Sequence, residues 1–297
     1  MPGAMIESRT LVIAVIAAFA LALGFGAAQA EPPRVVVSIK PIHSLVAGVM
    51  QGVGAPTLLI SGAGSPHSYA LRPSEARALG NADIIFWVGP GMEDFLAKPL
   101  ATLSGGAVAV ALATTPGIEV PNGGEHDMHI WLDPANAKAL VRTIALELSE
   151  IDEANTARYA VNAAGLSIKL DALLGELRAM LAPVKAKPYI TFHDAYGYFE
   201  HRFGLASAGA IAINPDRKPG ARRLYQIRDK IAETGVGCVF REPQFAPRLV
   251  ATVIEGSAAN VGVLDPLGAA LAPGPQAYFE LMRGLARSLV DCLSKAP

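Results

Sequence analysis

The sequence predicts an α/β protein of two lobes, each a four-stranded, mainly parallel sheet flanked by helices, the two joined by one long rigid helix. Three observations carry that expectation. Short, continuous apolar runs occur in two sets of four, helical patterns separate the runs, and the segment 152–181 between the sets has no strand signal. Parallel strands buried on both faces read as unbroken apolar runs, whereas half-exposed strands alternate.

The first set is "RVVVSI" (34–39), "PTLLI" (56–60), "ADIIFWV" (82–88) and "AVAVA" (107–111). Helical stretches at 41–51 and 73–80 fall between them. Asp133-Pro134 then offers a capping carboxylate followed by proline at the first helical position, opening "PANAKALVRTIALELSE". In the long segment, Val161, Leu166, Ile168, Leu170, Leu173, Leu174, Leu177 and Leu181 approximate helical spacing. Such a helix spans about 45 Å at 1.5 Å per residue. Pro183 and Pro188 end it. The second set is "PYITF" (188–192), "GAIAI" (209–213), "VGCVF" (236–240) and "NVGVL" (260–264). The expected boundaries are a first lobe over 31–151, a linking helix over 152–183 and a second lobe over 184–297. A rigid link predicts modest lobe movement instead of a wide hinge.

Residues 1–30 read differently. One arginine precedes the apolar run "LVIAVIAAFALALGFGAAQA", which ends in Ala28-Gln29-Ala30. That is the pattern of a secretory signal peptide cleaved after Ala30, and no cysteine follows to carry a lipid. The expectation is an exported, periplasmic protein. A hydrophobic share of 52 % against 17 % charged residues excludes a disordered chain. A net charge of −1 removes the usual reason to expect a nucleic acid partner.

Export gives meaning to the two cysteines, Cys238, read as ending the strand "VGCVF", and Cys292 in the last helical stretch. In an oxidising compartment such a pair is expected as a disulfide, and the CxxC spacing of a cysteine metal site is absent.

Of six histidines, three have telling positions. His67 follows the strand "PTLLI" through the turn "SGAGSP", His193 directly follows "PYITF", and His129 precedes the helix opened by Asp133. Asp265 directly follows "NVGVL". Ligand sites of open α/β sheets gather outside the carboxyl ends of strands. Three neutral imidazoles with one carboxylate suit a tetrahedral cation, above all Zn²⁺. The same residues also permit satisfied structural histidines and an Asp265-Pro266 helix cap. Glu242 stands at the carboxyl end of "VGCVF", where it either orients a ligand imidazole or makes a loop salt bridge. His43 reads as structural, His201 as a helix-surface residue, and Asp194 receives no role.

The stretches "SPHSYALRPS", "ADIIFWVGPGMEDFL", "MHIWLDP", "TFHDAYGYFEHRFGL", "INPDRKPGARRL", "CVFREPQF" and "LDPLG" together resemble the zinc-specific solute-binding proteins of ABC uptake transporters, the ZnuA type. The resemblance runs from about residue 34 to the C-terminus. It implies two α/β lobes bridged by a rigid helix with the metal between them, and a disulfide between Cys238 and Cys292. It places the three histidine ligands on His67, His129 and His193, and Asp265 as a fourth ligand that some relatives leave uncoordinated. Manganese-binding cousins carry a carboxylate where His193 stands, so three histidines favour zinc.

Two departures stand out. Pro66 occupies the place where some zinc members carry an extra glutamate donor, which shifts the fourth position toward Asp265 or a water. The long His/Asp-rich loop of many members has shrunk to "NGGEHDMH", so Glu125, His126 and Asp127 read as a solvated loop. The implied function is zinc capture and delivery to a membrane permease by a monomer. The rivals are a manganese or ferrous-iron binder of the same fold, an adhesin-like protein, and an exported zinc hydrolase. For the last, neither HExxH nor a nucleophile elbow is present.

Overall fold

The computed structural model describes residues 31–103, 105–121, 127–213, 215 and 218–296. The expected signal peptide, and Glu125 and His126, lie outside the described residues. Among the described residues no helix is long and apolar enough to cross a membrane.

All eight apolar runs form strands: β1 (Val35–Val37), β2 (Thr57–Leu58), β3 (Ile84–Trp87), β4 (Val108–Ala111), β5 (Tyr189–His193), β6 (Ser207–Ala212), β7 (Cys238–Arg241) and β8 (Asn260–Val263). They build two sheets with the same order, β2-β1-β3-β4 and β6-β5-β7-β8, and every neighbouring pair is parallel. Strand order therefore reverses between β1 and β3, and again between β5 and β7. Those reversals open crevices at the carboxyl ends of the strands, where ligands of such sheets bind.

Nine helices are described: α1 (Lys40–Val49), α2 (Pro73–Gly80), α3 (Asp94–Leu103), α4 (Pro134–Ile151), α5 (Thr156–Leu181), α6 (Gly197–Phe203), α7 (Ala221–Thr234), α8 (Arg248–Ile254) and α9 (Ala277–Leu293). The cap expected for α4 is present, with the Ala135 amide donating to Asp133 Oδ1 at 2.8 Å. The long helix α5 buries Tyr159, Ala163, Leu166, Leu170, Leu173, Leu177 and Leu181, a stripe stepping by three and four residues.

Three expectations need correction. Val161 and Ile168 lie off the α5 stripe and are 67 % and 71 % exposed, because one face of the helix stays in water. Val108, Val261 and Val263 are exposed too, since β4 and β8 are edge strands with a neighbour on one side only. Cys238 begins its strand instead of ending it, and is bonded to Cys292 on α9.

One apolar core runs without interruption from β1, β3 and α1 through α4, α5 and α9 to Tyr189, Cys238 and Phe240 of the second sheet. A smaller core, with Ile190, Phe192, Ile211, Ile227 and Val239, covers the other face of that sheet. Polar ties cross between the halves as well. The buried Lys40 ammonium donates to the carbonyls of Gly268, Ala269 and Leu271 at 2.5, 3.0 and 2.8 Å. Burial lowers its pKa, and the nearby Asp265 charge opposes that shift. Tyr278 on α9 reaches across to the other half: its amide donates to Ser44 Oγ at 2.9 Å and its hydroxyl to the Trp131 carbonyl at 2.8 Å. Arg202 of α6 donates from Nε to both oxygens of the buried Asp133 at 2.8 Å.

Two stability measurements follow from these ties. Lys40→Met leaves one buried and two half-buried carbonyls without their donor, so guanidinium unfolding is expected to show a loss of about 2–4 kcal/mol. The Cys238→Ala/Cys292→Ala variant frees a loop with a sequence separation of 54 residues. Its expected loss is about 4 kcal/mol in the chain-entropy account.

Candidate metal centre

His67 lies in the loop between β2 and α2. That loop is braced from below: the Tyr69 hydroxyl donates to Glu75 Oε1 at 2.8 Å, and its ring packs on Phe95 with centroids 5.4 Å apart. The Arg72 amide donates to Glu75 Oε2 at 2.8 Å, and Pro73 starts α2. The brace turns a glycine-rich loop into a fixed mount for an imidazole. Burial, and then the neighbouring imidazoles, hold the His67 pKa down to about 3, so its ring is neutral. Its Nε2 is buried with no protein partner.

His129 ends a short loop before the buried turn Ile130–Leu132. Asp127 Oδ1 accepts from the His129 amide at 2.9 Å and pairs with its ring Nδ1 at 2.7 Å. An acceptor on Nδ1 fixes the proton there and leaves Nε2 with its lone pair. Trp131 anchors the turn, donating from Nε1 to the Pro266 carbonyl at 2.9 Å in the other half of the chain.

His193 is the last residue of β5, and Glu242 directly follows the adjacent strand β7. Strand pairing therefore sets the two side by side at the second crevice. His193 Nδ1 lies 2.8 Å from both Glu242 oxygens, and the Tyr196 hydroxyl donates to Oε1 at 3.1 Å. Complete burial beside that carboxylate raises the Tyr196 pKa well above its ordinary value, so the phenol stays a donor. His193 also presents a bare Nε2.

The structure brings the three imidazoles together. Their candidate donor atoms all lie within 4.8 Å of one another, the one such His/Cys/Asp/Glu group among the described residues. His129 Nε2 and His193 Nε2 are 3.3 Å apart. With both ring protons committed to carboxylates, this is a confrontation of two lone pairs and not a hydrogen bond. It matches two bonds of about 2.0–2.1 Å to one tetrahedral ion, whose nitrogens stand about 3.3 Å apart. The donor set fits a divalent metal. The cavity these rings line, with Ser65, Pro66, Gln244, Phe245, Pro266 and Leu267, holds about 10 Å³.

Asp265, expected as a fourth donor, is not one of that group in the metal-free chain. Its Oδ1 accepts from Gln244 Nε2 at 2.8 Å and from the Leu267 and Gly268 amides at 3.1 and 3.0 Å, and its Oδ2 from the Ala269 amide at 2.5 Å. The residue caps the turn after β8. Asp127, expected as part of a solvated loop, is instead the orienting partner of His129. The signal was the Asp-x-His spacing, which lets one carboxylate meet both the backbone amide and the ring. Glu242 lies against the His193 ring, the place expected of an orienting carboxylate. His43 is buried against the Pro56 carbonyl at 3.1 Å, His201 is exposed on α6 and the Asp194 side chain is exposed.

Comparison with known proteins agrees with this architecture. Residues 35–292 match the family model described as ZnuA, zinc-uptake complex component A, periplasmic. The chain is 48 % identical to the high-affinity zinc uptake system protein ZnuA of Brucella suis biovar 1 (strain 1330) over 310 residues, 89 % of this chain and 93 % of the relative. It is 39 % identical to the protein of that name from Paracoccus denitrificans (strain Pd 1222), over 97 % of this chain and 99 % of the relative. A crystal structure of a ZnuA superposes with a TM-score of 0.79 at 26 % identity, covering 89 % of this chain and all of that one. The chain belongs to the ZnuA family, the periplasmic A component of zinc-uptake complexes.

Proposed function

We propose that this protein is an exported, monomeric zinc carrier: it captures Zn²⁺ on His67, His129 and His193 between its two sheets and delivers it to the membrane permease of an ABC transporter. The observation that carries the reading is the pair of bare Nε2 atoms 3.3 Å apart, with a third unpartnered Nε2 beside them. Only a cation relieves that repulsion without protonating a ring. Three nitrogen donors and no gathered carboxylate favour zinc over manganese or magnesium, which take oxygen-rich sites. Hydrolysis needs a substrate beside the metal. A cavity of about 10 Å³, roughly the space of one water molecule, leaves no room for a substrate beside an ion, so a carrier is favoured over a hydrolase. The names of the Brucella and Paracoccus relatives support the same cargo.

Calorimetry on metal-stripped protein is expected to show one tight zinc site, weakened at least a hundredfold by His67→Ala, His129→Ala or His193→Ala. Unchanged binding in all three variants would overturn the assignment. Asp127→Asn and Glu242→Gln keep the shapes of the orienting groups but remove their charge, and each is expected to cost about 10–100-fold in zinc affinity. At a free zinc concentration a hundred times Kd, the melting transition should gain about 2.7 kcal/mol.

Acid has a second effect, on the metal-free fold. The His67 pKa is about 3 in the folded chain against an ordinary 6.5, so below pH 6.5 the unfolded chain takes up a proton that the folded chain refuses. Stability from this group is full above pH 6.5 and is lost as pH falls toward 3. Urea unfolding at pH 7 and pH 4.5 is expected to show a smaller acid loss in His67→Ala than in the parent. An equal loss would contradict it.

A further inference from the structure

The outer faces of α4 and α5 carry an apolar surface that no other described segment covers. Leu146 on α4 is 67 % exposed, and Val161 and Ile168 on α5 are 67 % and 71 % exposed. Ala157, Ala160 and Ala164 are exposed as well, so the apolar strip on α5 is continuous. Beside it a groove of about 830 Å³ runs between the two helices, walled by Ala145, Leu146, Ala160, Ala163 and Ala164. Single apolar residues on a surface need no explanation, but a contiguous patch marks a place of interaction.

The charges around the groove select its occupant. Arg142, Leu146 and Glu150 are exposed at four-residue steps, one ridge of α4. Arg142 and Glu150 both line the groove, each about 6 Å along the helix from Leu146. Among the described residues neither makes an ion pair. A positive and a negative charge placed evenly about an apolar centre are self-complementary under a two-fold rotation. With two copies of α4 antiparallel and the axis beside Leu146, residue 142 of each copy faces residue 150 of the other. An acidic or a basic partner helix would satisfy one of these charges and repel the other. The walls suit the same packing, because alanines leave a hollow that a leucine fills.

We infer that two copies of this chain pair through the α4–α5 groove, each Leu146 entering the alanine-walled groove of the other copy and each Arg142 meeting the other copy's Glu150. Such a contact uses the same patch on both copies, so it closes at two and does not propagate. It goes beyond the carrier reading and does not rest on it: each monomer keeps its own three imidazoles, and pairs form as concentration rises. Leu146 lies about 20 Å along α4 from the Asp133 end, where His129 stands. The contact therefore falls on the half of the helix away from the metal centre.

The test is sedimentation velocity of the exported protein from micromolar to near-millimolar concentration, metal-free and with one equivalent of Zn²⁺. A reversible shift from one copy to two is expected in both states, and Leu146→Asp is expected to abolish it. Arg142→Glu sets glutamates face to face and Glu150→Arg sets arginines face to face, so each alone is expected to weaken pairing about tenfold or more. Mixed together, these two variants are expected to pair with each other as strongly as the parent pairs with itself. The double variant Arg142→Glu/Glu150→Arg is expected to recover self-pairing. All three positions are exposed, so melting temperature and zinc affinity should stay at the parent's. A parent that remains a single copy over the whole range would overturn the inference and leave the groove to a partner of another kind. Pairing that survives Leu146→Asp would place the contact elsewhere and overturn it too. Charge variants that pair like the parent, or that fail to recover on mixing, would overturn the two-fold arrangement.

Discussion

Two imidazoles, each turned by a carboxylate so that its bare nitrogen faces the other, are the constraint on which the rest of this structure depends. Glu242 holds the proton of His193 and Asp127 holds that of His129, leaving Nε2 facing Nε2 at 3.3 Å. In a metal-free protein such a contact is unfavourable, and a flexible scaffold would relieve it by swinging a ring away. This scaffold resists. β5 and β7 are hydrogen-bonded neighbours, so His193 and Glu242 cannot separate without breaking the sheet. His129 is tied to a fully buried Trp131, whose indole reaches across to Pro266.

The two halves share strand order but not chemistry. At the crevice of the second sheet stand a histidine and a glutamate aimed at the site. At the corresponding crevice of the first sheet, Ser38 donates to Glu93 at 2.5 Å, and the amides of Val88 and Gly89 donate to the same carboxylate. Complete burial pushes the Glu93 pKa up to about 7, against those hydrogen bonds. That carboxylate fastens a turn and offers nothing outward. The first half therefore brings its imidazoles from loops, His67 after β2 and His129 before α4, onto a second half that presents its ligand from a strand end. Rigidity between the halves follows from the continuous core through α5 and α9 and from Lys40, whose charge is answered by three carbonyls and by nearby Asp265.

Much of this was legible in the chain. The eight strands announce themselves because β-branched apolar runs bounded by turns have no other good use, and α2 falls at 73–80 as its Arg-Pro start implied. The meeting of His67, His129 and His193 was an expectation from strand ends and from family resemblance, since separations of tens of residues carry no geometric information. Exposure was read less well. Val161 and Ile168 look like core on periodicity alone, but which face of a long helix is covered depends on what packs against it. Asp265 is ambiguous for a similar reason: a carboxylate after a strand is equally suited to a metal or to a turn's amides, and sequence does not show that the amides of 267–269 point at it.

The most direct test of the central claim is X-ray absorption at the zinc edge on the protein loaded with one equivalent of Zn²⁺. The account predicts three imidazole nitrogens and one oxygen at about 2.0–2.1 Å, with the outer-shell scattering of three rings. A six-oxygen shell, or one with fewer than two imidazoles, would contradict it.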